Sequence, residues 1–408
     1  MDGSKNPCTR SIKFNFVKYL LALSALFLWS FTSGWHNQGL LTSGKSEQPD
    51  VPEWSPRPKN IILLIGDGMG LSQITAGLYA NNNSLNLERF PVTGLMKTHS
   101  SSHLITDSAA GATAFACGCK TYNGAIGVTK ARKPCLTILE QAERNGLATG
   151  IISTSSLVHA TPAAFIAHVN SRSEMEDIAK FFLETELDFF VGGGLQYFNQ
   201  RSNDKRNLYD EMLRKGYELS TFETQKLSET KPNGQFPFGW FSAIGEPDYV
   251  SKGRDYLPLA AHMATEFLDK RSEKGFFLVV EGAQIDWACH ANNGPQAVEE
   301  MLDFDAAIGE ILRFAEIDSN TLVIVTADHE TGGLALEQGA GFEVLDYDFT
   351  TGHHTASMVP VFAFGPGAAQ FNGVMDNTEI YWKMARLWGL VDETMQEEAP
   401  KRKKSRRD

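Results

Sequence analysis

Apolar residues in this chain come in short unbroken blocks rather than in strict alternation. Asn60–Ile65, Thr149–Ser153, Phe276–Val280, Thr321–Val325 and Val359–Phe364 are rich in β-branched or aromatic side chains. A strand that is apolar on both faces must be covered on both faces, which is the pattern of a mostly parallel sheet. Between these blocks the period becomes helical. Leu136–Asn145 reads as a helix closed by Gly146, and Gln296–Ala315 puts Met301, Leu302, Phe304, Ile308 and Leu312 on one core-facing stripe. The alternation predicts an α/β fold, a three-layer sandwich with a large, mostly parallel central sheet flanked by helices. No internal repeat is present. Residues 199–256 are less regular and rich in Gly, Pro and aromatic residues. They read as a loop-rich excursion at the rim of a site or at an interface, or as a plain surface loop.

Polar residues gain meaning from where they fall on that pattern. Asp67 follows the first strand, Glu281 follows Val280, and Asp328 and His329 follow Thr326-Ala327. Ligands bind at the carboxyl ends of strands in open α/β sheets, and three strands here bring metal-type side chains to one edge. Asp286 and His290 are spaced i, i+4, so on a helical turn they face one way. A third ligand would complete a zinc site with an open position; His354 is the candidate and His353 its competitor. The glycines of Gly66-Asp67-Gly68-Met69-Gly70 let backbone pack around the Asp67 carboxylate. Glu281 and Thr161 offer oxygen and suit a harder ion such as Mg2+. In Thr106-Asp107-Ser108-Ala109-Ala110-Gly111 a single serine hydroxyl stands among small residues, where backbone can approach an anion. A serine beside two or three divalent cations points to phosphoryl transfer.

Composition adds the setting. The chain has 408 residues, 42% hydrophobic and 21% charged, as expected of a globular protein with a large core. At its start Lys5, Arg10, Lys13 and Lys18 precede an uncharged apolar run, Tyr19–Phe31. The run is short for a membrane span and suits a signal-peptide core, and Thr32-Ser33-Gly34 offers small residues for cleavage. Residues 1–34 therefore read as a signal peptide or an uncleaved N-terminal anchor. The protein is expected to be exported, periplasmic or secreted, with membrane contact only if the segment stays attached. Residues 401–408 read as a basic disordered tail, with membrane or polyanion contact as the alternative. Residues 35–400 hold 27 basic and 47 acidic side chains, which argues against a nucleic-acid partner and suggests acids neutralised by cations.

Cys8 lies in the segment expected to be removed, leaving Cys117, Cys119, Cys135 and Cys289. Cys119 and Cys135 flank Thr121–Lys133. Their disulfide would contribute about 3 kcal/mol in the chain-entropy model, and export would permit it. Cys117 and Cys289 are expected to stay free.

Together these motifs resemble bacterial alkaline phosphatase. The resemblance rests on Gly66–Gly70, Thr106–Gly111, Lys120–Val128, Ala160–Ala164 through His168–Arg172, Glu281–His290, Thr326–Gly333 and His354-Thr355, in order from about residue 58 to 390. It implies one catalytic domain over 35–400 and hydrolysis of phosphate monoesters through a phosphoserine on Ser108, at a site of two Zn2+ and one Mg2+. Asp67, Asp328 and His329 would hold one zinc; Asp286, His290 and His354 would hold the other. Asp67, Thr161 and Glu281 would hold magnesium. Arg172 would clamp the phosphate and Asp107 would orient it. A homodimer is expected. His159 and Trp287 depart from the best-known enteric pattern, which has aspartate and lysine there, and match other bacterial members. They put in question how tightly magnesium and product phosphate are held. The stretch from His329 to His354 is short for a large crown-like insertion.

Two other readings compete. A phosphodiesterase, sulfatase or phosphoglycerate mutase of the same superfamily is one. A sulfatase would need x-Pro-x-Arg after its nucleophile, which Ser108-Ala109-Ala110-Gly111-Ala112 lacks. Arg172 favours a monoester over a diester. The other is a non-catalytic metal- and phosphate-binding protein, against which the full residue set argues.

Overall fold

A computed structural model describes residues 57–339, 341 and 344–390. The expected signal peptide or anchor and the basic tail lie outside the described residues.

The strands, in chain order, are β1 Asn60–Gly66, β2 Val92–Lys97, β3 Ala148–Ser156, β4 Phe189–Gly193, β5 Glu218–Thr221, β6 Phe238–Phe241, β7 Phe276–Gly282, β8 Thr321–Thr326, β9 Glu330–Thr331, β10 Leu334–Leu336, β11 Tyr347–Phe349, β12 His354–Thr355, β13 Val359–Phe364 and β14 Gly373–Asp376. Ten of them form one sheet in the order β14-β2-β13-β8-β1-β7-β3-β4-β6-β5. β13 runs antiparallel to both its neighbours, and the other pairings are parallel. Helices cover both faces, and β1, β3, β7 and β8 are buried along their whole length. The five apolar blocks are therefore strands of a mostly parallel sheet inside an α/β sandwich, as their lack of alternation predicts. β10 with β11 and β9 with β12 make two small accessory sheets between His329 and Val359.

Both predicted helices form. Thr137 caps Ile138–Arg144 by accepting from the Glu140 N–H, while Glu140 reaches back to the Thr137 N–H, a reciprocal pair that satisfies two otherwise orphaned donors. Gly294–Asp318 buries Met301, Phe304, Ile308 and Leu312, and Leu302 is only partly covered. Among the described residues no helix is long and apolar enough to cross a membrane.

Residues 199–256 are more ordered than their composition suggests. They supply a helix, Leu208–Lys215, and the sheet edge β6-β5. β6 reads Phe238-Gly239-Trp240-Phe241 and is fully buried. Its glycine is a packing feature: a Cβ on Gly239 would lie 2.0 Å from Cζ of Phe190. The second difference concerns the cysteines. Cys117, Cys135 and Cys289 are free thiols. The Sγ atoms of Cys119 and Cys135 are 3.6 Å apart, well beyond the roughly 2.05 Å of a disulfide, so the expected bond is not formed. Cys117 and Cys289 are buried thiols, as anticipated.

The register positions the site. Ile65 of β1 pairs with Glu281 of β7 on one side and with Thr326 of β8 on the other, and Ser153 of β3 pairs with Glu281. Asp67, Glu281 and Asp328 thus leave three adjacent central strands within two residues of one row.

Candidate active site

Ser108 begins the helix Ser108–Cys117, which reads Ser-Ala-Ala-Gly-Ala-Thr-Ala-Phe-Ala-Cys and is buried at every position. Small side chains let this helix approach the sheet edge. Its N-cap is Asp107, whose Oδ1 accepts from the Ala110 N–H at 3.0 Å. The other oxygen accepts from the Gly124 N–H at 2.9 Å and from Nη1 of Arg172 at 3.3 Å. One carboxylate therefore both caps the helix that carries Ser108 and holds the guanidinium. Ser108 is 2% exposed. Its Oγ lies 3.3 Å from Nε2 of His329 and 3.5 Å from Oδ1 of Asp67.

Three sets of donor atoms converge around this hydroxyl, each with its ligating atoms within 4.8 Å of one another: Asp67, Asp328 and His329; Asp286, His290 and His354; Asp67, His159 and Glu281. Asp67 belongs to two of them. Asp286 and His290 lie on one short helix, Gln284–His290, at the spacing that brings them to the same face. Of the two adjacent histidines, His354 joins this set, while His353 is exposed. Thr161 is fully buried on the short helix Ala160–Ala163, beside the third set's His159. His159 meets Trp287 edge to face at 5.7 Å, and its Nε2 faces Nη2 of Arg172 at 3.2 Å. Gly68 lies at φ +70°, and a Cβ there would sit 2.9 Å from Cα of Asp286, so two of the sets can come together only around a glycine.

The electrostatics are those of a site built for cations. Burial raises the pKa of Asp67, and the charges of Asp328, Asp286 and Glu281 raise it further. Burial also raises Asp328, and brings Glu281 up to about 7. It holds the His329 imidazole neutral, well below the ordinary histidine value. Oδ2 of Asp67, Oδ2 of Asp328, Oε1 of Glu281 and Oγ1 of Thr161 are buried with no hydrogen-bond partner among the described residues. Buried carboxylate oxygens that no hydrogen-bond donor meets are costly unless a cation meets them, so the residues fit bound metal ions. Asp286, His290 and His354 bring two imidazoles and a carboxylate, and Asp67, Asp328 and His329 bring one imidazole and two carboxylates, both donor combinations that zinc accepts. Asp67, Glu281 and Thr161 supply the hard oxygens that suit magnesium.

Several supporting residues escaped the reading of the sequence. Thr331 Oγ1 donates to Oδ1 of Asp286 at 2.5 Å and lies 3.2 Å from Nδ1 of His329, so it links two sets. Ser153 and Ser155 both reach Oε2 of Glu281. A hydroxyl on a buried strand looks ordinary in sequence. The available signal was the run Ser153-Thr154-Ser155-Ser156 at the carboxyl end of an otherwise apolar strand.

Comparison with known proteins agrees with this geometry. Residues 58–346 match the alkaline phosphatase family. The alkaline phosphatase of Escherichia coli K12 is 35% identical, with 81% of this chain and 86% of that protein aligned. Alkaline phosphatase 4 of Bacillus subtilis 168 is 33% identical over 79% of this chain and 87% of its own. The structure of alkaline phosphatase from the Antarctic bacterium TAB5 is 42% identical, with a TM-score of 0.78, covering 82% of this chain and all of that one. A variant of the TAB5 enzyme with a histidine replaced by aspartate has Mg bound in its M3 site and superimposes with a TM-score of 0.76. The sheet, the clustered donors and these relatives agree: the chain is a phosphatase and belongs to the alkaline phosphatase family, whose reaction is the hydrolysis of phosphate monoesters.

Proposed function

We propose that the chain hydrolyses phosphate monoesters through a phosphoserine on Ser108, with two Zn2+ and one Mg2+ as cofactors. The observation that carries this reading is the place of Ser108 Oγ, against Asp67 and His329 and one residue from the carboxylate that holds Arg172. The planar fork of Arg172 can bind two phosphate oxygens at once, a geometry that suits a dianionic monoester. Asp107 keeps that fork in place. Ser108 Oγ then forms its bond to phosphorus as the bond to the alcohol oxygen breaks, and the alcohol leaves with a proton. Water attacks the phosphoserine in the second half, releasing inorganic phosphate and restoring the hydroxyl. When bound, the divalent cations would stabilise the charge on the entering and leaving oxygens. Asp67, Asp328 and His329 would hold one zinc and Asp286, His290 and His354 the other.

Magnesium would take Asp67, Thr161 and Glu281 directly, and His159 only through water. Arg172 can only donate, so the His159 nitrogen facing it is an acceptor and the proton sits on Nδ1. Burial, and then the Arg172 charge, push the His159 pKa down to about 3, so no second proton joins it. With one nitrogen given to Arg172 and the other protonated, the ring has no lone pair left for an ion, and it would meet the intervening water through its Nδ1–H, which has no other partner among the described residues. We place His159 at the position of the histidine changed in the TAB5 variant.

Export to the periplasm or medium is read from residues 1–34, and a homodimer from the family. The deciding measurement is hydrolysis of p-nitrophenyl phosphate with and without chelator, coupled to acid trapping of labelled phosphate on the protein. Activity that survives full metal removal, or turnover with no phosphoserine, would refute the proposal.

A further inference from the structure

We infer that Ser153 and Ser155 are positioning residues for the third cation, holding one oxygen of Glu281 so that the other faces the ion. The inference rests on reading Asp67, Thr161 and Glu281 as a magnesium site. β3 and β7 are parallel neighbours, and Ser153 stands directly opposite Glu281 in the register. Residues 153 and 155 share one face of β3 because side chains alternate along a strand. Ser153 Oγ donates to Oε2 of Glu281, and Ser155 Oγ lies 3.2 Å from the same oxygen. The Ser155 N–H donates to Ser153 Oγ at 2.8 Å. The Ser153 oxygen therefore accepts from this N–H while its proton goes to the carboxylate oxygen, which can only accept.

The strand itself is clamped at Ser153 and at Thr154, between the two serines. The Tyr256 hydroxyl donates to the Ser153 carbonyl at 2.8 Å. Thr154 accepts from the Ala283 N–H through its Oγ1, and from the Gln284 side chain through its carbonyl, each at 2.8 Å. Ser153, Thr154, Ser155 and Glu281 are all fully buried. Oε2 of Glu281 thus has two hydroxyl neighbours, whereas Oε1 is buried with no hydrogen-bond partner among the described residues. A carboxylate fixed in this way offers its free lone pairs in a single direction. Magnesium demands near-ideal octahedral geometry, so an ion bound by one oxygen of Glu281 depends on that direction being held.

The test uses zinc-loaded enzyme freed of magnesium, titrated with MgCl2 by calorimetry, with zinc content and the magnesium dependence of the melting temperature measured alongside. Outer partners of metal ligands typically contribute 10- to 100-fold in affinity. Ser153→Ala is expected to weaken magnesium binding about 10-fold and the double alanine variant further, with zinc content unchanged. Ser155→Ala alone serves if loss of the Ser153 hydroxyl prevents folding. Glu281→Gln is the control. If that control loses magnesium while the serine variants bind it like the wild type, the positioning role is overturned and the magnesium site stands. If Glu281→Gln itself binds magnesium normally, the reading of the site falls and this inference falls with it.

Discussion

The Nε2 atoms of His290 and His354 stand 3.0 Å apart. Each ring commits its other nitrogen to a carbonyl: His290 Nδ1 to Gly352 at 2.8 Å, and His354 Nδ1 to Thr106 at 2.9 Å. A carbonyl only accepts, so Nδ1 carries a proton in each ring, and in the neutral form, the one that can bind a metal, the two Nε2 lone pairs point at each other. The Asp286 carboxylate lies alongside, 3.4 Å from one Nε2 and 3.7 Å from the other. Such an arrangement is repulsive until a cation stands within it. Stripping metal with a chelator is therefore expected to destabilise the fold as well as stop catalysis. A ligand at 100 times its Kd contributes about 2.7 kcal/mol, so the melting temperature should fall by roughly 5 °C or more. Equal melting with and without chelator would count against metal in this set.

Ser108→Ala removes the attacking oxygen and none of the carboxylate or imidazole donors. Turnover should drop by at least about 1000-fold, while metal content by elemental analysis stays at the wild-type level. Acid quenching with labelled phosphate should trap no adduct. A labelled alanine variant would move the nucleophile elsewhere.

Arg172→Lys keeps the charge and loses the fork. Charge-assisted hydrogen bonds contribute about 1.5–3 kcal/mol each, so kcat/KM for a monoester should fall roughly 10- to 100-fold. Asp107→Asn should give a smaller fall in the same direction, since Asp107 holds Arg172 through a single contact at 3.3 Å. Steady-state kinetics on both variants tests the pair, and an unchanged kcat/KM in Arg172→Lys would remove the bidentate role.

His159→Asp replaces a ring with no free lone pair by a hard carboxylate beside Asp67 and Glu281. The magnesium concentration for half-maximal activity should fall. Superimposable activation curves for wild type and variant would show that position 159 does not report on the ion.

Away from the site, His168 and Glu140 give the fold a pH signature. Nε2 of His168 lies 3.1 Å from Oε1 of Glu140, and Nδ1 lies 2.7 Å from the Gly127 carbonyl. The pKa of His168 is raised: its bonds to Glu140 and Gly127 outweigh the lowering effect of burial, which is the largest single influence. That of Glu140 is lowered, its bonds to His168 and Thr137 outweighing a burial effect that acts to raise it. A raised histidine stabilises fully below its unfolded value and loses the contribution as pH rises through the folded one. A lowered glutamate stabilises above its unfolded value and loses the contribution as pH falls through the folded one. The pair should therefore contribute most between the ordinary values of 4.5 and 6.5. Glu140→Gln should cost about 1 kcal/mol at pH 6 and less at pH 9, by denaturant unfolding. A cost that is the same at both would exclude the ion pair.

How legible the fold was depended on element length. β1, β7 and β8 announce themselves because four or five consecutive apolar residues, followed at once by acidic or small ones, fit a strand buried on both faces. β4 to β6 did not. Phe189–Gly193 and Phe238–Phe241 are four or five residues long and carry glycines, and what joins them is packing that no sequence period shows, with the Phe190 ring over Gly239 and the Phe189 ring against Phe238. The donors at the strand ends could be read because their positions follow from the strands themselves. The links between them could not. Thr331 and the Ser153–Ser155 pair act through contacts across 45 residues and more, and a hydroxyl has no sequence pattern that names its partner. The Cys119–Cys135 expectation failed because closeness along the chain sets what a bond would contribute, and says nothing about whether it forms.

Asp67 is counted in two donor sets, and that sharing makes the sets one thermodynamic system. An ion entering one set draws on the same carboxylate that the other must use, so each occupancy changes the affinity of the other. By linkage the factor is the same in both directions. Cation loading should then follow a joint isotherm rather than the sum of two independent ones, and a substitution at Asp67 should disturb both halves of that curve at once.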